Sequence, residues 1–182
     1  MPKKIDLATA PVSAGTLYPP PFDQPCLARR RIRLGDAAGL SQFGVNLCTL
    51  PPGAWSSQRH WHTHADELIY VVSGEVTLVT DAGEEVLRAG DAAGFKAGDE
   101  DGHCFQNRSD GDVVLLEIGT RIPGDLAFYS DIDMKTTPKA PMSTRTAGTI
   151  RNRIAGAGST ILFDRICFTA YVLRCDPQLH RS

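Results

Sequence analysis

The chain has 182 residues, 42% of them apolar and 22% charged, with a formal net charge of −2 at pH 7. That is enough chain for one modest globular domain with a real core, and the small negative charge argues against a general binder of nucleic acid or other polyanions. The start Met1-Pro2-Lys3-Lys4 leads into no apolar run, no stretch reaches about 18 apolar residues, and five scattered Cys form no Cys-x-x-Cys pair, so the expectations are no signal peptide, no membrane span and a reducing, cytoplasmic setting.

In chain order, residues 1–39 read as an N-terminal arm that packs on the domain or on a partner. Residues 11–25 hold five Pro and few periodic apolar residues. Arg29, Arg30, Arg31 and Arg33 follow as a basic run, read first as a solvated edge and second as a contact to an anion or a partner subunit. Residues 44–50 alternate and end at Pro51-Pro52-Gly53, a strand and then a turn. Residues 67–72 are rich in β-formers. Ser73-Gly74 turns into 75–80, and Asp81-Ala82-Gly83 turns into 84–88. Gly90-Asp91 opens a short strand, and 103–107 and 112–119 complete the set. Strands at roughly ten-residue spacing with turns between them predict an all-β antiparallel barrel or sandwich. No amphipathic helix is expected before residue 148. The expected divisions are an arm at 1–39, a barrel at 40–134 and a divergent tail at 135–182.

Within this pattern, His60-Trp61-His62-Thr63-His64-Ala65-Asp66-Glu67 is answered 36 residues after Glu67 by His103. Imidazoles at i and i+2 on a strand share a face. A carboxylate opening the next strand can return to that face, and His103 can join from a strand farther on. Three neutral imidazoles and a carboxylate suit a divalent transition metal, with Mn, Fe, Co, Ni, Cu and Zn all open. By parity Gln58, His60 and His62 face in and Arg59 and Trp61 out. Glu67, Ile69 and Val71 face in and Tyr70 out. His103, Phe105 and Asn107 face in, leaving Cys104 as a packing residue outside the cavity.

Residues 53–74 read Gly53, six residues, His60-Trp61-His62, four residues, Glu67, six residues, Gly74. Residues 90–107 read Gly90, five residues, Lys96-Ala97-Gly98, four residues, His103, three residues, Asn107. These resemble the two signature motifs of the cupin superfamily. The resemblance implies a double-stranded β-helix, a jelly-roll-like barrel, with a metal held by His60, His62, Glu67 and His103. Three departures lie in turns: the spacer after Gly53 is one residue long of the usual, Lys96 stands where Pro is usual, and Gly98 to His103 is two residues longer than usual. A register using His62 and His64 leaves too few residues before Glu67, so His64 is expected in a solvated turn. The stretches 34–46, 107–110, 117–121 and 129–133 narrow the resemblance, over residues 17–134, to small single-domain bacterial cupins often labelled sugar-phosphate isomerases.

After residue 134 the resemblance stops and the charge changes sign. Residues 1–130 carry eleven Lys and Arg against seventeen Asp and Glu, and residues 131–182 eight against four. Residues 136–158 look loop-like, while 161–174 are apolar enough to need burial against the barrel or a second subunit. A shifted reading frame is the alternative origin of this tail.

Three functions fit. The first is metal-dependent isomerisation of a small polar or anionic molecule such as a sugar phosphate, with a rim residue such as His64 or Tyr70, or a metal-bound hydroxide, as base, and with Arg59, Arg108 or Arg121 contacting a phosphate. The second is metal-dependent dioxygenase or decarboxylase chemistry. The third is non-enzymatic binding of a small molecule. No helix-turn-helix pattern flanks the barrel, so a nucleic-acid partner is not expected. A homodimer is.

Overall fold

The structure, a computed structural model, describes residues 4–138 and 171–174. The described strands are, in chain order, β1 (Val12–Ala14), β2 (Arg30–Arg33), β3 (Phe43–Leu50), β4 (His60–His62), β5 (Glu67–Ser73), β6 (Glu75–Thr80), β7 (Gly83–Arg88), β8 (Ala92–Phe95), β9 (Cys104–Gln106), β10 (Val113–Thr120), β11 (Ala127–Tyr129), β12 (Lys135–Pro138) and β13 (Tyr171–Arg174). A 3₁₀ turn (Gln24–Cys26) and one α-helical turn, α1 (Leu34–Ala37), precede β3. No helix among the described residues is long and apolar enough to cross a membrane.

All pairings are antiparallel. One wall is a six-stranded sheet in the order β1-β2-β3-β10-β5-β8. Facing it are the sheets β7-β6-β9 and β13-β12-β11-β4, stitched together by a bridge in which His60 and His103 exchange backbone hydrogen bonds of 3.1 and 2.9 Å. The result is the all-β antiparallel double-stranded β-helix expected from the sequence. Alternation decides what lies between the walls. On β5, Glu67, Ile69 and Val71 are buried and Leu68, Tyr70 and Val72 are exposed. Cys48 and Leu50 of β3 and Val113 and Leu115 of β10 meet Val76, Leu78, Leu87 and Phe105 from the opposite wall in one apolar core. Burial of this set removes apolar surface from water at roughly 25 cal/mol per Å².

The N-terminal arm is more ordered than its proline content suggests. β1 and β2 extend the six-stranded sheet past β3, with Ile32 opposite Leu47 and Val12 opposite Ile32, and Cys26 is fully buried. The arginine run is not a solvated edge. β2 alternates, so Arg30 faces water while Arg31 turns inward and pairs with Glu117 through two bonds of 2.6 and 2.8 Å. Arg29, just before β2, is buried and donates to the carbonyls of Gly15 and Ser56. A buried Glu117 needs such a partner, because an unpaired interior charge is costly.

Of the tail, β12 and β13 pair with each other and extend the sheet carrying β4. The loop expected over 136–158 is wrong at its start, because residues 136–138 belong to β12, where backbone pairing with β11 and β13 overrides a loop-like composition. The rest of that stretch lies outside the described residues, as does the apolar stretch 161–174 except for β13 at its end.

Candidate metal centre

Strand parity puts the rings of His60 and His62 on one face of β4, both buried. Trp61 takes the other face and stacks on Phe128 of β11, with ring centroids 5.0 Å apart. Glu67 opens β5, where pairing with Gly119 and Phe95 fixes its direction. His103 arrives through its bridge to His60, just before β9. The four residues named from the sequence therefore meet in one place. Glu67 Oε2 lies 3.1 Å from His103 Nε2, 3.7 Å from His62 Nε2 and 3.8 Å from His60 Nε2. His60, His62 and Glu67 each offer a ligand atom within 4.8 Å of the others.

The outer nitrogens of two rings are held. His60 Nδ1 faces the Gln58 carbonyl at 3.0 Å, and His62 Nδ1 faces Asp125 Oδ2 at 2.6 Å. Each contact favours hydrogen on Nδ1 and leaves the Nε2 lone pair directed into the site. His60 Nε2 is buried with no hydrogen-bond partner, a state that costs free energy unless something accepts that lone pair. His103 stacks on Phe95 with centroids 3.4 Å apart. Burial pushes the His60 imidazole down to about 3, against an opposing pull from Glu67. Burial works to raise the Glu67 carboxyl, but His62, His103 and His60 outweigh it and hold the group below the usual carboxylate range. A neutral imidazole beside an ionised carboxylate is the donor state a divalent cation requires. The residues present fit such an ion.

Asp125 was not singled out from the sequence. Ile122-Pro123-Gly124-Asp125 forms a turn with Gly124 at φ +84°, and β11 then pairs Ala127 with His62. This brings Asp125, fully buried, behind the His62 ring. Burial works to raise its carboxyl. Hydrogen bonds from His62 and from the backbone N–H groups of His64 and Ala65 prevail and hold it below the ordinary range.

A cavity of about 150 Å³ opens from the site, bounded by His62, Glu67, His103, Phe95, Lys96, Asp99 and Asp101, with Trp61 and Ala65 at its sides. Lys96 and the two aspartates belong to the segment between β8 and β9, where the spacing to His103 is two residues longer than usual. The other nominees lie elsewhere. Tyr70 is on the outer face of β5, and His64 is exposed with Nδ1 2.7 Å from Thr63 Oγ1. Arg59 pairs with Asp131 and Asp81, Arg108 with Glu84, and Arg121 with Asp36. None of the three lines the cavity. Cys104 is buried outside it, and burial pushes its thiol up to about 11, which is no state for a nucleophile. Asn107 is structural, donating to the carbonyls of Leu50 and Gly111 at 2.7 Å.

Comparison with known proteins agrees with this fold. The family described as "Cupin domain" matches residues 46–119. A crystal structure of a sugar phosphate isomerase from a cupin superfamily, from Silicibacter pomeroyi DSS-3, is 47% identical, with a TM-score of 0.71 over 74% of this chain and 85% of that one. A protein of Acidithiobacillus ferrooxidans ATCC 23270, provisionally described as a sugar phosphate isomerase, is 31% identical, with a TM-score of 0.58 over 60% and 69%. The polyketide cyclase RemF of Streptomyces resistomycificus shares the fold at 20% identity and a TM-score of 0.53 over 66% and 80%. No curated protein matches.

Proposed function

The chain belongs to the cupin superfamily, and from that premise we propose that it is a metal-dependent enzyme of small polar molecules, with isomerase-like proton transfer next to a carbonyl as its chemistry. The observation that carries the reading is the convergence of three Nε2 atoms on the Glu67 carboxylate, 3.1 to 3.8 Å away, beside a cavity. His60, His62, Glu67 and His103 are the proposed ligands. A divalent transition metal held by them supplies Lewis acidity toward a substrate oxygen.

The other parts come from the chain. Phe95, stacked on the His103 ring, gives the cavity an apolar wall, which strengthens polar contacts beside it. Lys96 is the sole cation among the cavity residues, so it is the contact for an anionic group of the substrate. Asp101 Oδ1 accepts the Asp81 N–H at 2.6 Å, whereas Asp99 Oδ1 accepts the Asp101 N–H only at 3.4 Å, so Asp99 is the less tightly held carboxylate and the group that moves the proton. Arg59, Arg108 and Arg121, each paired with a carboxylate outside the cavity, do not make this contact. The identity of the Silicibacter pomeroyi relative supports the substrate class.

The test is elemental analysis of protein from its native host, followed by assay of metal-loaded protein against a panel of sugar phosphates with and without oxygen. Oxygen-independent turnover, lost in His103→Ala and reduced in Asp99→Asn, is the expected result. Oxygen consumption on another substrate would overturn the reaction class. Saturable binding without turnover across the panel would overturn the enzyme reading.

A further inference from the structure

We propose that Asp125 is a positioning residue that locks His62 in the tautomer with hydrogen on Nδ1, so that the Nε2 lone pair points at the ion site. The inference rests on the reading of His62 as a metal ligand. The two oxygens of Asp125 have different duties. Oδ2 takes His62 Nδ1 at 2.6 Å. Oδ1 accepts the backbone N–H of His64 at 2.8 Å and that of Ala65 at 3.2 Å, and the Thr63 hydroxyl at 3.3 Å. The carboxylate therefore holds the ring of His62 and also the turn that carries the chain from β4 to Glu67.

The position of Asp125 is itself fixed from several directions. The turn at 122–125 closes with the Asp125 N–H on the Ile122 carbonyl. Thr63 and Leu126 lock the two segments together, with Thr63 N to Leu126 O and Leu126 N to Thr63 Oγ1 both at 2.9 Å. The side chain has no exposed surface, so water does not compete for its oxygens. A neutral imidazole has one donor and one acceptor, and the partner of one nitrogen decides the state of the other.

This division of labour makes Asp125→Asn a specific probe. The two backbone N–H donors can be met only by an oxygen, so they orient the new amide with its carbonyl toward His64 and Ala65. Its nitrogen must then face His62 Nδ1. Two donors cannot remain opposed at that distance, so the hydrogen of His62 moves to Nε2, and the lone pair leaves the ion site.

The experiment uses the full chain stripped of metal by chelation, at a pH high enough that each imidazole carries a single hydrogen. Two-bond nitrogen–hydrogen correlation spectra read the tautomer of each histidine, and competition titration with Zn²⁺ reads affinity. In the wild type, His62 should carry hydrogen on Nδ1. In Asp125→Asn it should carry hydrogen on Nε2, while His60, held by the Gln58 carbonyl, keeps its tautomer. Zn²⁺ affinity should fall about 10–100-fold, the usual effect of losing such an outer partner. Hydrogen on Nε2 of His62 in the wild type would overturn the proposal without any variant, even if Asp125→Asn fails to fold. An unchanged His62 tautomer in a folded Asp125→Asn would also overturn it, as would a switched tautomer with unchanged affinity. A wild type showing the Nδ1–H form but taking up no divalent ion supports the hold on the ring and sinks only the ligand assignment.

Discussion

At residue 64 a single imidazole separates two registers of the same motif, since His62-Thr63-His64 repeats the spacing of His60-Trp61-His62. Chain length between the second histidine and Glu67 favours the earlier pair, and the geometry agrees. The side chain of His64 is exposed beside Thr63, and what the residue lends the site is its backbone N–H to Asp125. An alanine retains that N–H. Isothermal titration with Zn²⁺ should therefore find His64→Ala close to wild type, while His62→Ala and His103→Ala lose most of the binding. Equal losses at 62 and 64 would move the histidine pair two residues along the chain. The same attention to single residues revises the substrate contacts. Arg59, Arg108 and Arg121 are each matched to a carboxylate away from the cavity, and Lys96, which a motif reading registers only as a departure from Pro, lines it.

Elements explain which of these facts a sequence can carry. Period-two alternation is local, so the inward and outward faces of β4, β5 and β10 follow from the residues themselves, and with them the convergence of His60, His62 and Glu67. The turn at Gly74 is legible for the same reason. Gly74 has φ +86°, and a Cβ there would stand 2.8 Å from the Asp112 carbonyl oxygen. Gly74→Ala combines backbone strain with a backbone clash, and should lower the stability of the metal-free protein by about 1–3 kcal/mol, read as a lower urea midpoint at unchanged slope. An unchanged midpoint would mean that the β5–β6 turn relaxes freely. What local pattern does not carry is pairing between distant segments. Asp125 reaches His62 across 63 positions because β11 lies against β4, and nothing near residue 125 advertises that neighbour. Arg31 finds Glu117 across 86 positions. Four arginines in five positions read as a charged edge until β2 is known to alternate beside β3. The two extra residues between Gly98 and His103 were visible as spacing, but only the packing of β8 against β5 shows that this segment faces the cavity.

For the whole molecule, the outer face of the six-stranded sheet presents exposed apolar side chains. Register aligns Ile32, Leu47, Leu116 and Tyr70 in one row across β2, β3, β10 and β5, and Val45, Ile118 and Leu68 in the next. Leu68, Tyr70 and Val72 remain 45%, 40% and 45% exposed. An antiparallel sheet with one face in water ordinarily turns polar residues outward, and contiguous apolar rows of this kind mark contact surfaces. Strands β1 and β2 of the N-terminal arm extend the edge of this sheet. A second copy can cover the apolar rows with one and the same patch on both subunits, the usual arrangement of a two-fold dimer. We therefore expect a homodimer joined face to face through this sheet, rather than one closed by exchange of the arm. Light scattering at micromolar protein should give twice the chain mass of 19.7 kDa. Leu68→Glu with Val72→Lys, both on the outer side of β5 and away from the inward-facing Glu67, should halve that mass and leave Zn²⁺ binding intact. A wild-type monomer would reject the dimer. A double variant that stays dimeric would reject this face and return the arm or the tail as the contact.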